Sequence, residues 1–213
     1  MIDLILDLLY PRTCGFCGRI EKEYICNKCE KKLQKENLCK IYKSKSKLIN
    51  YHGYVFKYQG IIRDKIIDYK FNEQAYLYKT FSKIILKNEI ICSFIKKYDI
   101  IIPVPIHKKR KKYRGYDQTQ LIAKEIAKNL QVCIKFNILK KKNNIKPQSS
   151  LTKNERRLNI KDAYELQNEK EIYNKKVLLI DDIYTTGATI EECARIIKKA
   201  KPKEISAFTI AKD

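Results

Sequence analysis

The sequence predicts an α/β fold in which a mostly parallel sheet is flanked by helices. Apolar runs typical of buried strands alternate along the chain with segments whose apolar residues recur at helical spacing. At 213 residues with 44% hydrophobic content, the chain is long enough to bury both faces of such a sheet. The cysteines are concentrated near the amino terminus, which indicates a small additional module before the α/β domain.

The elements follow from local patterns. The near-continuous apolar runs at 99–106 and 177–180 are typical of buried strands. Further strands are predicted at 51–56, 132–139 and 204–211, and helices from Gly60, over 75–87, from Asp117 as a capping residue, and over 188–200. The basic segment 107–114 and the polar segment 140–158 are predicted to be loops, and residues 40–48 a linker. We therefore expect two domains, at 1–48 and 49–213.

Two cysteine pairs near the amino terminus predict a metal site. Cys14 and Cys17 form one C-x-x-C pair, and Cys26 and Cys29 form the next. Four thiolates complete a tetrahedral shell and leave no open position, so the predicted zinc is structural. A redox C-x-x-C pair or a chance spacing is the alternative. Cys39 is left over, either as a thiol behind the ligands or as the remnant of a larger ribbon.

The chain is strongly basic, with 46 Lys and Arg against 24 Asp and Glu and a net charge of +22. Such a charge attracts phosphates, nucleic acid or an anionic membrane surface. An AT-rich genome offers a different explanation, because it encodes abundant Lys, Ile, Asn and Tyr. The first ten residues predict an amphipathic helix that is too short to span a bilayer, so we expect no membrane insertion and a cytoplasmic protein.

The segment that follows the strand at 177–180 predicts a sugar-phosphate site. Gly187 allows close approach of the backbone, and the helix that begins after it offers free N–H groups and a positive dipole to a phosphate. Asp181 and Asp182 would repel that phosphate but are good acceptors for the vicinal hydroxyls of a ribose. A ligand of this kind is expected at the carboxyl ends of the strands. An ordinary strand–loop–helix turn is the alternative.

This stretch resembles the phosphoribosyl-pyrophosphate (PRPP) signature of type I phosphoribosyltransferases. Four apolar residues, two acids, two variable residues and T-T-G-x-T match without gaps from Val177 to Thr189. The resemblance implies a type I phosphoribosyltransferase-like domain in which Asp181 and Asp182 bind the ribose hydroxyls. It implies that the 5′-phosphate is bound by Thr185, Thr186, Gly187, Ala188 and Thr189.

The order of motifs along the whole chain resembles the ComF family, zinc-ribbon phosphoribosyltransferase-like proteins associated with DNA uptake in bacterial competence. The motifs are the cysteine pairs, Tyr58-Gln59-Gly60, Lys70-Phe71, P-V-P followed by R-G-Y-D-Q, and Gln148, Arg156 and Asn159 before the acid pair. The chain departs from the family at Asp117, where Asn is usual, and at Ile145, where Thr is usual. It also lacks the second set of paired cysteines of many relatives, which implies a single-zinc version.

The resemblance assigns further roles. Arg114 and Gly115 would lie in the pyrophosphate loop, and Gln148 and Arg156 in a lid, where Arg156 would close over the pyrophosphate or contact DNA. The pyrophosphate would arrive with Mg²⁺. Residues 108–112 would serve the same anion or a nucleic-acid backbone, or form a solvated basic face. The implied function is DNA uptake, with binding of PRPP or a related nucleotide phosphate, of single-stranded DNA and of a helicase-like competence partner. Two alternatives stay open: an active phosphoribosyltransferase that transfers phosphoribose to a nucleobase, and a regulator that senses PRPP. No catalytic residue is assigned.

Overall fold

A six-stranded sheet forms the centre of the protein in a computed structural model that describes residues 12–34, 37–142 and 162–213. The strand order is β1-β2-β8-β7-β3-β4, and the bounds are β1 Asn37–Lys43, β2 Tyr51–Lys57, β3 Ile100–Pro103, β4 Cys133–Ile134, β7 Lys176–Tyr184 and β8 Glu204–Lys212. Only β1 is antiparallel to its neighbour. A separate hairpin pairs β5 Leu139–Lys141 with β6 Tyr164–Leu166. The predicted α/β class is confirmed.

Seven α-helices are present in the described part of the chain. They are α1 Asn27–Gln34, α2 Gly60–Phe71, α3 Leu77–Leu86, α4 Glu89–Ile95, α5 Lys108–Arg114, α6 Gln118–Leu130 and α7 Ala188–Ile197. Short 3₁₀ turns at Glu169–Ile172 and Lys198–Ala200 precede β7 and follow α7.

Alternate residues of the central strands point to two separate apolar cores. In β7, Leu178 and Ile180 contribute to the core that α2, α3, α4 and α6 cover, whereas Val177 and Leu179 contribute to the core that α7 and the hairpin cover. This period of two is what a strand buried on both faces requires. The carboxyl ends of β3 and β7 are therefore left open at one edge of the sheet, because the helices cover its faces.

The cysteine-rich module packs on the first of these cores. Phe16 lies edge-on to Phe81 of α3, with ring centroids 6.2 Å apart, and Leu33 of α1 is buried in the same cluster. Gly15 lies so close to α3 that a side chain there would overlap Thr80. Lys87 Nζ also lies 2.7 Å from a carboxylate oxygen of Glu30. The module is thus docked against the α/β domain.

Three predicted loops or strands differ from the structure. The segment 107–114 contains helix α5 and is not a loop, since His107 Nδ1 accepts a bond from Lys109 N at 3.1 Å and Gly115 ends the helix in a left-handed conformation. Residues 40–43 of the expected linker at 40–48 belong to β1 and are not a linker. The lysines of this segment are compatible with a strand because β1 lies at the edge of the sheet. The strand predicted at 132–139 is two short strands, β4 and the beginning of β5. Most of the loop predicted at 140–158 and the predicted N-terminal helix lie outside the described residues.

Candidate functional site

A cavity of about 220 Å³ lies at the carboxyl ends of β3 and β7. This is the edge at which open α/β sheets bind their ligands. Its walls come from seven helices and strands and from the loops after β3 and β7. The lining residues are Lys70, Val104, Pro105, Ile106, Arg110, Arg114, Gln118, Lys141, Tyr164, Asp181, Asp182, Ile183, Thr185 and Thr189. Two carboxylates and four cations therefore face one small space.

Asp182 is a buried carboxylate that the protein itself already holds. Lys70 Nζ lies 2.9 Å from Oδ1, and Gln118 Nε2 donates to Oδ2 at 2.8 Å. Burial raises the pKa of Asp182, but the charge and hydrogen bond of Lys70 and the bond from Gln118 lower it further, so the net pKa lies below its ordinary value. Asp182 is therefore ionised and joins α2 and α6 to β7.

Gln118 connects Asp182 to Arg114. Its amide oxygen accepts a short hydrogen bond from Arg114 NH1, and its backbone oxygen accepts one from Tyr69 Oη at 2.6 Å. Arg114 is almost fully buried, which is unusual for an arginine, and its guanidinium lines the cavity. A buried cation held in this way is preorganised for an anionic ligand, because its position does not have to be fixed on binding.

Asp181 differs from its neighbour in its partners. Its Oδ1 accepts a hydrogen bond from Asp182 N at 2.8 Å, and no hydrogen bond or ion pair from the described residues reaches its Oδ2. Burial and the adjacent charge of Asp182 raise the pKa of Asp181 to about 7, although Lys70 opposes the shift. Asp181 is therefore the carboxylate with an oxygen available to a ligand.

The loop after β7 has the geometry of a phosphate cradle. Gly187 has φ +77° and is the N-cap residue of α7, and because glycine has no side chain it cannot cap the free N–H groups at the beginning of that helix. Thr186 Oγ1 accepts from Ala188 N at 3.4 Å, a long bond within the loop. Thr185 and Thr189 line the cavity directly. Residues 185–189 therefore lie together beside Asp181, as the sequence predicts.

A buried aromatic network supports this loop from behind. Tyr184 lies against His52, with ring centroids 4.3 Å apart, and a side chain at Gly187 would overlap the Tyr184 hydroxyl. His52 is only 1% exposed and is bonded to Tyr42 Oη at 2.8 Å and to Thr209 Oγ1 at 2.9 Å. Burial and the charge of Lys212 lower the pKa of His52 to about 3. The histidine is therefore a neutral packing partner of the loop.

Lys141 is a cation of the cavity wall that the sequence analysis did not single out. Lys141 Nζ bonds to Tyr164 Oη at 3.0 Å and lies 5.0 Å from the centre of that ring, so the β5–β6 hairpin presents its charge to the cavity. Burial lowers the pKa of Lys141. In the sequence it is one of three consecutive lysines, and no local signal distinguishes it from Lys140 or Lys142. Lys70 was noted only as part of the Lys70-Phe71 motif and was not predicted as a site residue.

The residues of the predicted pyrophosphate loop are separated by the structure. Arg114 lines the cavity, whereas Gly115 ends α5 with φ +80° and is not part of the cavity wall. Asp117 caps α6 as predicted: its Oδ1 accepts from Gln120 N at 3.0 Å. Burial raises its pKa, which the bond from Gln120 partly offsets. The predicted lid residues Gln148 and Arg156, with Asn159, lie outside the described residues.

A larger groove of about 710 Å³ lies at the amino ends of β7 and β8, far from the acid pair in the topology. Glu204 there already accepts from Tyr98 Oη at 3.0 Å and from Ser206 Oγ at 3.2 Å. The groove includes the beginning of α4, but its lining carries as many acids, Glu89 and Glu204, as cations, Lys97 and Lys176. The smaller cavity is therefore the candidate site, since its charges converge on one point.

The four predicted metal ligands form a compact cluster. The Sγ atoms of Cys14, Cys17, Cys26 and Cys29 all lie within 4.8 Å of one another. Tetrahedral zinc thiolates have S···S edges of roughly 3.8 Å, and Cys17 Sγ lies 3.8 Å from Cys26 Sγ. The cluster thus fits a four-thiolate zinc ion. Cys39 lies in β1 and is not one of the four.

Comparison with known proteins agrees with this architecture. The family described as "Phosphoribosyl transferase domain" matches residues 120–213, and "Double zinc ribbon domain" matches residues 5–48. Together with the cysteine cluster, the second match supports a structural zinc. Among the described residues, no helix has the length and apolar character needed to cross a membrane.

Similar proteins share most of the chain. Competence protein F of Haemophilus influenzae is 28% identical over 203 residues, which are 93% of this chain and 84% of the relative. Competence protein ComFC of Bacillus subtilis is 28% identical over 214 residues, with 96% and 80% covered. The solved structure of glutamine PRPP amidotransferase from B. subtilis, complexed with ADP and GMP, aligns at TM-score 0.42 and 14% identity over 62% of this chain and 25% of that chain. The chain is therefore a homologue of the ComF and ComFC competence proteins and carries a phosphoribosyl transferase domain and a zinc ribbon.

Proposed function

We propose that the cavity binds PRPP or a related nucleotide phosphate, and that the protein acts in DNA uptake with single-stranded DNA as a partner. One observation carries the first part: a carboxylate with an available oxygen, a phosphate cradle and four cations face the same cavity. A phosphorylated ribose with a pyrophosphate group complements all three. Neither a simple phosphate nor a neutral sugar would use both the carboxylate and the cations.

The ribose end of this ligand is assigned to the acid pair. Asp181 would accept the hydroxyls, because its Oδ2 has no hydrogen-bond or ion-pair partner in the described part of the chain. Asp182 would act mainly by holding Lys70 and Gln118, since both its oxygens are engaged. This assignment refines the expectation that both carboxylates bind the ribose. The 5′-phosphate would lie on residues 185–189 at the beginning of α7.

The pyrophosphate end is assigned to the cations on the other walls. Arg114 is fixed by Gln118, and Lys141 is fixed by Tyr164, so both offer charge without a large ordering cost. Lys70 and Arg110 complete the set. Mg²⁺ would arrive bound to the pyrophosphate, where it would neutralise part of the charge. Gln148 and Arg156 stay predicted lid residues.

The role in DNA uptake rests on the relatives and on charge. Both relatives described above are named competence proteins, and the net charge of +22 favours a polyanionic partner. The zinc module would contact DNA or a helicase-like partner, because it occupies a surface with no part in the cavity. A four-thiolate site needs reduced cysteines, which is consistent with the cytoplasm.

Transfer of phosphoribose to a nucleobase is the second candidate, and the cluster of cations favours it. In that reaction a base nitrogen forms a bond to C1 of the ribose while the C1–O bond breaks and pyrophosphate leaves with the electron pair. Arg114 and Lys141 would stabilise the charge that develops on the leaving group. No described residue identifies the acceptor base.

Thermal unfolding with three ligands tests the proposal. PRPP, ribose 5-phosphate and pyrophosphate, each with Mg²⁺, are added to the zinc-loaded protein at equal concentration. We expect PRPP to raise the Tm most, because it alone fills both ends of the cavity, and stabilisation follows RT ln(1 + [L]/Kd). Equal shifts from pyrophosphate alone would mean an unspecific anion site. Release of pyrophosphate with added nucleobases separates transfer from binding.

A further inference from the structure

Helix α5 presents a strongly basic surface beside the cavity. Six of its seven residues are Lys or Arg, and it contains no acid. Lys108, Lys109, Lys111 and Lys112 are all exposed, so their charges face solvent and do not form a buried network. Such a surface attracts an anionic partner. It does not by itself identify which partner.

The spacing of α5 places an aromatic ring, that of Tyr113, on the helix face next to the one that lines the cavity. Arg110 and Arg114 are four residues apart and both line the cavity, as side chains on one helix face do. Lys109 and Tyr113 have the same spacing and lie one residue earlier, on the neighbouring face. Tyr113 is 86% exposed. An aromatic side chain so exposed contributes little to the core.

A second exposed aromatic ring, that of Phe71, lies beside Arg114. Phe71 is the last residue of α2 and is 60% exposed. The guanidinium carbon of Arg114 lies 5.4 Å from the centre of its ring, so a cation–π contact fixes the ring while most of it stays accessible. Lys70, which precedes it, reaches Asp182 in the cavity. Phe71 and Tyr113 thus belong to two different elements next to Arg114, which lines the cavity.

We propose that single-stranded nucleic acid binds to one surface beside the cavity. We call it the α5 surface, and it consists of Lys109, Lys112 and Tyr113 of α5 together with Phe71 of α2. The phosphates of the nucleic acid would lie against the two lysines, and its unpaired bases would stack on the two rings. Cationic side chains that follow the backbone and aromatic rings that receive bases are the two components of single-strand sites. This assignment rests on the proposed function and locates its DNA partner at the edge of the PRPP cavity.

The chain offers a matched control surface elsewhere. Tyr173 is 63% exposed and, with Lys199 and Lys201, lines a shallow pocket next to the 3₁₀ turn at Glu169–Ile172. These three residues match Tyr113, Lys109 and Lys112 in type, but none of the three lines the cavity. Substitutions there remove equal charge and equal aromatic area.

The test measures anisotropy of a fluorescent 20-nucleotide oligo(dT) with zinc-loaded full-length protein at about 50 mM salt. We expect Tyr113→Ala and Phe71→Ala each to weaken binding roughly tenfold, as loss of one stacked base does. Tyr173→Ala should bind as the wild type does. An abasic strand of equal length and charge should show no difference between Tyr113→Ala and wild type. Equal binding of oligo(dT) by Tyr113→Ala and Tyr173→Ala overturns the proposal.

The lysines are tested through salt dependence. Lys109→Ala/Lys112→Ala should reduce the slope of log K against log salt by about 0.7 per lost contact, whereas Lys199→Ala/Lys201→Ala should leave it unchanged. Tighter binding to phosphatidylserine vesicles than to oligo(dT), lost in the same variants, would also overturn the proposal. If the wild type binds no strand at low salt, the DNA role under the proposed function fails too. Strand binding that is insensitive to all α5 variants refutes this surface alone.

Discussion

Lys70 Nζ lies 2.9 Å from Oδ1 of Asp182, a contact that joins the last turn of α2 to the end of β7. The Asp182 side chain is only 5% exposed, and its other oxygen accepts from Gln118. One carboxylate thus fixes three elements around the cavity. This pair accounts for the ionised state of Asp182 without a ligand.

Replacing Lys70 with Met leaves Asp182 buried without its cation. We expect the free energy of unfolding to fall by roughly 1–3 kcal/mol, because an unpaired buried charge retains its desolvation penalty. Urea unfolding at pH 7.5 measures the change. Lys65→Met on the same helix is the control, since its pair with Asp68 is more exposed and should change stability by less than about 1 kcal/mol. Equal effects of the two substitutions would contradict this account.

Asp181→Asn should stabilise the protein at alkaline pH. The folded pKa of Asp181 is raised to about 7, so the folded state binds its proton more tightly than the unfolded state does. The wild type therefore loses this contribution as pH rises from about 4 to about 7. At pH 8 we expect the variant to be more stable by on the order of 4 kcal/mol, and at pH 4 to show little difference. Asp68→Asn, at a carboxyl whose pKa its bonds to Asn72 and Lys65 lower, should give no such gain.

Acid should destabilise the protein through His52. Its folded pKa is about 3, so in the unfolded state alone it takes up a proton as pH falls below about 6.5. Between pH 7 and 4.5 this costs roughly 2–3 kcal/mol. His52→Gln should flatten this part of the curve of unfolding free energy against pH. A variant curve parallel to that of the wild type would refute the assignment.

Loss of zinc should loosen the contact between the module and α3. We expect about one zinc per chain by elemental analysis, and almost none in Cys26→Ser, because three thiolates bind zinc much more weakly than four. Phe16 and Leu33 would then lose their fixed positions in the core, and the Tm should fall by at least about 5 °C. Cys39→Ser should keep its zinc. Zinc retained by Cys26→Ser would contradict the four-ligand site.

Local patterns were enough to predict the acid pair, the loop at 185–189 and the four thiolates. Each is a contiguous or closely spaced motif whose geometry the neighbouring residues set. Lys70 and Lys141 were missed as site residues because their contacts come from the tertiary fold: Lys70 meets a residue 112 positions away. The ligand-binding roles of the acid pair, the loop at 185–189, Arg114, Gly115 and the lid residues stay predictions.

Helix α5 is an element that the sequence analysis predicted wrongly. A segment of consecutive cations has no apolar periodicity, so it was predicted to be a loop. Lys and Arg nevertheless have good intrinsic helix propensity. The His107 cap begins the helix, the left-handed Gly115 ends it, and the burial of Arg114 anchors it to the core. The anchor is a tertiary contact that the sequence pattern does not contain.

Calorimetric titration of PRPP with Mg²⁺ into the zinc-loaded protein tests the central claim most directly. We predict one site per chain with a Kd in the range of roughly 1 μM to 1 mM that is usual for such ligands. Asp181→Asn should weaken it at least tenfold, and Asp181→Asn/Asp182→Asn should abolish it, while Lys65→Met binds as the wild type does. Absence of binding by the folded wild type, or unchanged binding by the double variant, would contradict the assignment of the cavity to PRPP.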